Sequence, residues 1–224
     1  TLCSIRGGGG IKEGGGATLL TGILGDFLGR RLPGNVLLID LDFRRADLAF
    51  SLGQPAKKHV QELVAREDFL HFENLQSFLI KTPRGFSLLA SAQEPGLKIL
   101  SDIAFVGLLT VLGNFFEVIL IDLPQYPFQG LGEVIDICDK VIVHVGETPN
   151  QMKTLWWLST YEWKKLPENY TNKLLFVSWR KDPKEIAEVE EIAPQCVFLP
   201  KPQKATFSEP AFTINDSVEF KPLR

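Results

Sequence analysis

Two features of this 224-residue chain combine residue types and spacing that could do chemistry. The first is the glycine-rich run Arg6-Gly7-Gly8-Gly9-Gly10-Ile11-Lys12-Glu13-Gly14-Gly15-Gly16-Ala17-Thr18-Leu19-Leu20. The second is a set of three acids that close apolar runs: Asp40 and Asp42 in VLLIDLDFRRADL, and Asp122 in VILIDLP. A glycine-rich turn between a strand and a helix start leaves backbone N–H groups pointing outward, and the helix dipole adds partial positive charge there, so it suits an anion. A complete phosphate loop also places a lysine just before its Ser or Thr to reach the outer phosphates. Here that slot holds Ala17, while Thr18 keeps the hydroxyl that would ligate Mg²⁺. Losing one charge-assisted hydrogen bond costs about 1.5–3 kcal/mol, or about ten- to a hundredfold in affinity. Micromolar binding survives such a loss and fast hydrolysis does not. The plain alternative for the run is a flexible connector. Carboxylates at strand ends weigh against it, because in an open parallel sheet they gather at the carboxyl edge and suit a hydrated Mg²⁺, which takes few direct protein ligands.

The elements that must hold these groups are legible as alternating patterns. Strand-like runs fall at Leu2-Ile5, Asn35-Asp40, Phe86-Ala90, Val118-Asp122, Lys140-Val145, Leu174-Ser178 and Val197-Leu199. Several are apolar without a break, as in strands covered on both faces. Between the first two, Leu19, Leu20, Ile23, Leu24, Phe27 and Leu28 recur at helical spacing, and Gly22, Gly25 and Gly29 would let that helix approach the sheet closely. Thr148-Pro149-Asn150-Gln151 and Asp182-Pro183-Lys184-Glu185 each read as a capped helix start. The expectation is an α/β fold with a doubly wound, mostly parallel seven-stranded sheet and helices on both faces, spanning residues 1–224 as one domain.

Composition narrows the function classes. A net charge of −3 gives no footprint for non-specific nucleic-acid binding, and no apolar run reaches membrane-spanning length. Cys3, Cys138 and Cys196 are odd in number, far apart and set in apolar runs, which predicts buried thiols in a reducing, cytoplasmic compartment. The chain opens at Thr1 directly on an apolar run, as a domain cut from something longer would. The tail after Ala205 carries no basic amphipathic helix of the kind that anchors a protein to a membrane.

The segments KEGGGAT, IDLDFRRADLAFSLG, LLASAQEP, VILIDLP and DKVIVHVGETPNQMKTLWWL together resemble the MinD/ParA superfamily of deviant-Walker P-loop ATPases, and within it the TadZ/CpaE pilus-assembly branch. The likeness runs over nearly the whole chain. The superfamily loop reads KGGxGK followed by Ser or Thr; the branch often has Ala for the second Lys, as in Gly16-Ala17-Thr18. By position, the resemblance makes Lys12 the signature cation that reaches a partner's phosphates across a nucleotide-sandwich homodimer. It assigns Gly14, Gly15, Gly16, Ala17, Thr18 and Leu19 to the loop and helix start. Asp40 would lie near Mg²⁺, Asp42 would orient the attacking water, and Asp122 would bind Mg²⁺ through water.

The sequence departs from the pattern in three places. Glu13 stands where the family has glycine, and Arg6 through Ile11 lengthen the loop, so that Arg6 competes with Lys12 for the signature position. Where the family often reads adenine with an Asn, this chain has Trp179-Arg180. Trp179 has two open roles, stacking on the base or packing on the sheet; the Leu199-Pro200 turn resembles the other wall of the base pocket.

The resemblance implies a protein that binds ATP and Mg²⁺, dimerises, and assembles or localises a pilus or secretion apparatus with weak hydrolysis at most. Its partners would be that machinery's proteins, and any polar placement would come through them. A cycling ParA/MinD-type ATPase that positions cargo and a nucleotide-free scaffold are the alternatives. A receiver-like domain often precedes this one in the branch. Trp156, Trp157, Tyr161 and Trp163 crowd one helical stretch that serves as core or as a dimer surface, and Arg44 and Arg45 lie in a turn that is solvated or reaches phosphate. His59, His71 and His144 lack metal-ligand spacing and receive no role.

Overall fold

The computed structural model describes residues 2–6, 16–66, 71–93, 102–124, 131–145, 172–179, 184, 186, 187, 189 and 196–199. Its strands are β1 (Leu2–Arg6), β2 (Val36–Asp40), β3 (Ile80–Lys81), β4 (Phe86–Leu89), β5 (Val118–Asp122), β6 (Lys140–Val145), β7 (Leu174–Ser178) and β8 (Val197–Phe198). The helices are α1 (Gly16–Arg31), α2 (Asp47–Ser51), α3 (Val60–Val64), α4 (Phe72–Gln76), α5 (Asp102–Gly113) and α6 (Leu131–Ile137). All eight strands form one sheet in the order β3-β4-β2-β5-β1-β6-β7-β8. Every pairing is parallel except β3 with β4. Each of the seven strand-like runs is therefore a strand. The eighth, β3, an antiparallel edge strand, was not expected from the sequence.

The unbroken apolar runs are explained by alternation onto two covered faces. Leu37 and Ile39, Ile119 and Ile121, and Val141 and Val143 point into one core with residues of α3, α5 and α6. Val36 and Leu38, Leu120 and Ile142 point the other way, into a core with Leu20 and Ile23 of α1 and Leu48 of α2. A period of two with both faces buried reads as continuous hydrophobicity.

Helix α1 carries the glycine run's end, and its seat on the sheet is fixed by small residues and charge. A Cβ on Gly29 would lie 2.7 Å from the Arg84 carbonyl oxygen and 3.0 Å from the Phe86 amide nitrogen, so only glycine lets the helix touch the β3–β4 turn. Beside it, buried Asp26 accepts a 2.6 Å hydrogen bond from Arg30 Nη2 and lies 3.6 Å from Arg84 Nη1. Arg30 and Arg31 in the last turn also complement the helix dipole.

One sequence expectation fails here. Cys138 is disulfide-bonded. Separation along the chain says nothing of which cysteines a sheet brings side by side, and the inference of a reducing compartment from three thiols loses its basis. No helix among the described residues is long and apolar enough to cross a membrane.

Candidate functional site

The carboxyl edge of the sheet gathers the chemically competent residues around β1. That strand pairs with β5 on one side and β6 on the other, and these neighbours were added in opposite directions along the chain. A crevice at such a reversal of strand order is where ligands bind in open α/β sheets. Helix α1 starts there at Gly16, and its own first turn carries no acid to oppose an anion at its positive end. Ala17 has no exposed surface, Thr18 is buried and Leu19 is partly buried. Lys12, Gly14, Gly15 and Pro200 lie outside the described residues, as do Arg180, the helical stretch with Trp156, Trp157, Tyr161 and Trp163, and the start at Thr148.

On the β5 side the three acids come together. Asp40 and Asp122 are register partners on β2 and β5, both fully buried, and Asp42 is buried just beyond. Asp40 is the best anchored. Its Oδ1 accepts the Asp42 backbone N–H at 2.9 Å, and its Oδ2 accepts the Leu48 N–H at 3.2 Å. The nearby Ser91 side chain also favours its charged form. Burial, and then the neighbouring Asp122 charge, push the Asp40 carboxyl up to about 8, against the lowering effect of those hydrogen bonds. The Asp42 carbonyl in turn accepts from the N–H groups of Arg45 and Ala46, and the Asp122 carbonyl accepts from Leu41. Ala46, at a φ of 51°, completes the tight turn that delivers α2. Arg44 projects into solvent from this turn.

Ser91 was missed at the sequence level although the segment LLASAQEP was singled out, because its role depends on how the residues after β4 are held. Gln61 of α3 clamps them. Its Nε2 donates to the Ala92 carbonyl at 2.7 Å, and its Oε1 accepts the Ala92 N–H at 3.1 Å. Gln93 Nε2 donates to the Arg44 carbonyl at 3.0 Å, tying the same segment to the acidic turn.

On the β6 side the site is aromatic. His144 of β6 is buried with its ring against the start of α1: a Cβ on Gly16 would fall 2.5 Å from His144 Nε2 and 2.8 Å from Nδ1. Its ring centroid lies 5.7 Å from that of Trp179, at 46° between planes. Trp179, just past β7, packs in the α1-side core with Leu20, Ile142 and Val177. Of the two readings of Trp179, packing on the sheet is the one these contacts show. His144 had one sequence signal, being the sole polar interruption of the strand KVIVHV. His59, by contrast, pairs with Glu62 at 2.8 Å at the start of α3.

Among the described residues no group of three or more His, Cys, Asp or Glu side chains could by itself cage a metal ion. The acidic side still fits a magnesium ion with a nucleotide, since that ion keeps several waters and takes one or two carboxylates plus phosphate oxygens. With the Asp40 oxygens both accepting backbone N–H groups, Asp42 and Asp122 are the better placed direct or water-mediated partners.

The doubly wound sheet, with α1 rising from the β1 edge between acidic and aromatic walls, is the fold of ParA/MinD-type P-loop ATPases. No family model matches the sequence and no curated protein matches it. Solved structures do. A ParA family ATPase from Chlorobium tepidum TLS superimposes with a TM-score of 0.73 at 14% identity, covering 90% of this chain and 84% of that one. The MinC:MinD cell division protein complex of Aquifex aeolicus gives 0.64 at 18% identity, covering 91% and 82%. Cobyrinic acid a,c-diamide synthase from Mycobacterium smegmatis, crystallised with ADP and magnesium, gives 0.64 at 18%, covering 92% and 89%.

Proposed function

We propose that this chain is an ATP- and Mg²⁺-binding, dimer-forming assembly or localisation protein of the TadZ/CpaE kind, serving a Flp/Tad-type pilus or secretion apparatus, with weak hydrolysis or none. The observation that carries this reading is Ala17. It sits fully buried at the α1 start, in the slot for the phosphate-reaching lysine, while Thr18 and the buried acids at the same edge are retained. Lys12, Gly14, Gly15, Gly16, Thr18 and Leu19 would hold the phosphates, with Arg6 as the alternative cation. Thr18, Asp122 and Asp40 would hold the Mg²⁺ region, Asp40 acting through the turn it organises. Trp179 and Pro200 would flank the base. The bound cation would neutralise the charge that phosphates and carboxylates bring together. ATP bound between two subunits would shift a monomer–dimer equilibrium, which is the regulatory output.

The structures most like this one include proteins described as a ParA family ATPase and as a MinC:MinD complex, which supports a positioning role with a protein partner. Retention of Asp42, buried in the turn after β2, favours a second reading in which the protein is a cycling ATPase that positions cargo.

Calorimetric titration with ATP and Mg²⁺ beside light scattering tests the proposal. Micromolar affinity, ATP-dependent dimerisation and negligible phosphate release are expected. Rapid phosphate release that disappears in Asp42→Ala would establish the cycling enzyme instead. No thermal shift with ATP and Mg²⁺ would leave a nucleotide-free scaffold.

A further inference from the structure

The slot that lost its lysine has an imidazole beside it. Ala17 is fully buried in the first turn of α1, so no ammonium reaches an anion from that position. Each Cα–Cβ bond of a helix tilts toward the helix's N-terminus. A Cβ built on Gly16, the first residue of α1, would fall 2.5 Å from His144 Nε2 and 2.8 Å from Nδ1. The ring therefore lies toward the N-terminal end of α1, the end that carries the dipole's positive pole and its unpaired N–H groups. Packing holds it there, since His144 is 7% exposed near the end of β6 and has the Trp179 ring 5.7 Å away.

The charged surroundings of this ring are few. The first turn of α1 carries no acid, and Asp26, about 15 Å further along that helix, is engaged by Arg30 and Arg84. On β1 the register partner of His144 is Arg6, and on β7 it is Val177. Asp122 closes β5 on the far side of β1, about 10 Å across the sheet, and Asp40 on β2 is one strand further. Lys140 lies at the opposite end of β6, and Lys12 and Glu13 precede α1 in the sequence.

Resting on the nucleotide reading above, we propose that His144 is a phosphate-binding residue that substitutes for the missing lysine, its imidazolium meeting the nucleotide's phosphates at the start of α1. Without an anion, a neutral imidazole suits a helix N-terminus, because the dipole there disfavours a cation. Phosphates reverse that balance, so the ring takes up a proton from solvent and donates a charge-assisted hydrogen bond. Imidazole can make this exchange near neutral pH, its ordinary pKa being about 6.5. A lysine in the slot would stay charged throughout this range. A histidine beside the slot instead gives binding that strengthens as pH falls.

The test is calorimetric titration of the full chain with ATP and Mg²⁺ from pH 6 to 8, beside His144→Gln, which stays polar and cannot gain a proton. Ionisation of the ligand and of the carboxylates acts on both proteins, so the ratio of their dissociation constants isolates His144. Wild type should bind about tenfold tighter than the variant at pH 6, and that ratio should shrink severalfold by pH 8. Should the variant unfold, NMR titration of the three imidazoles in the wild-type chain decides. One midpoint must rise by about one pH unit on saturation with ATP, and must do so also in His59→Gln and in His71→Gln. A ratio that stays constant with pH, or imidazole midpoints that ATP does not move, overturns the proposal and leaves the nucleotide site standing. Failure of ATP to bind at any pH overturns both.

Discussion

The two sides of β1 solve the same positioning problem with different physics. Toward β5 and β2, polar groups are held by polar groups. Asp40 gathers two backbone N–H bonds, and Gln61 and Gln93 lock the segment after β4. Toward β6 and β7, the holding force is packing: an imidazole pressed on a glycine, an indole leaning on the imidazole, and one indole N–H without a partner among the described residues. A hydrogen-bonded turn fixes where carboxylates stand and at what protonation, which a hydrated cation requires. A packed wall fixes shape and leaves its polar tip for whatever enters. The acidic side is therefore sensitive to pH and to single polar deletions, and the aromatic side to volume.

Mutations can break this contrast, and the largest effect belongs to the aromatic side. Gly16→Val drives a branched side chain into the His144 ring, and overpacking of this kind should cost about 3 kcal/mol in denaturant unfolding. His144→Ala in that background should recover about 1 kcal/mol, measured as the coupling in a double-mutant cycle. Independent, additive effects would mean that the two residues do not meet.

On the acidic side, Asp40→Asn should cost about 2 kcal/mol, because an amide nitrogen would face an N–H group of Asp42 or Leu48. It should also change the pH profile. The Asp40 carboxyl is raised in the fold from 3.8 to about 8, so between those values the folded state keeps a proton that the unfolded chain has released. Stability from this group is thus complete below the unfolded value and falls as pH rises toward 8. Unfolding measured from pH 4 to 8 without magnesium should show this decline in the wild type and a flatter profile in Asp40→Asn. An equal slope in both would remove Asp40 as its source.

A smaller loss is expected from Gln61→Ala. Removing the clamp on Ala92 should cost about 1 kcal/mol, read by chemical unfolding, since freed backbone groups at this partly buried place regain some water. Smallest of all is Phe50→Ser. This residue of α2 is 87% exposed, so a stability change within about 0.5 kcal/mol is expected. A loss of several times that size would show that Phe50 is covered in solution.

Much of this was written along the chain. Asp40 and Asp122 were found because each closes an apolar strand, with Asp42 two residues past the first, and parallel strands buried on both faces cannot hide where they end. The helix after the glycine run was visible in its spacing, and the structure places Gly29 against the β3–β4 turn as close approach demands. What escaped was pairwise and long-range. His144 showed itself only as a polar residue in an apolar strand, with nothing to say that Gly16 lies against it from across the sheet. Gln61 is an ordinary residue until the fold sets its amide against the Ala92 backbone. The disulfide at Cys138 contradicted a rule about spacing, because chain distance does not decide which thiols a fold brings together.

By itself, then, the sequence determined the alternation of strands and helices, the loss of the loop's lysine at Ala17 and the acids at strand ends. Each of these depends on a residue's own type and its near neighbours, where hydrophobic period and turn chemistry act. Only the tertiary structure decided that Asp40 serves the turn before it serves a metal, that His144 and Gly16 are in contact, and that Trp179 is packed yet keeps an unspent donor. Those facts depend on which strands lie side by side and which groups burial leaves without water, and no local pattern encodes either.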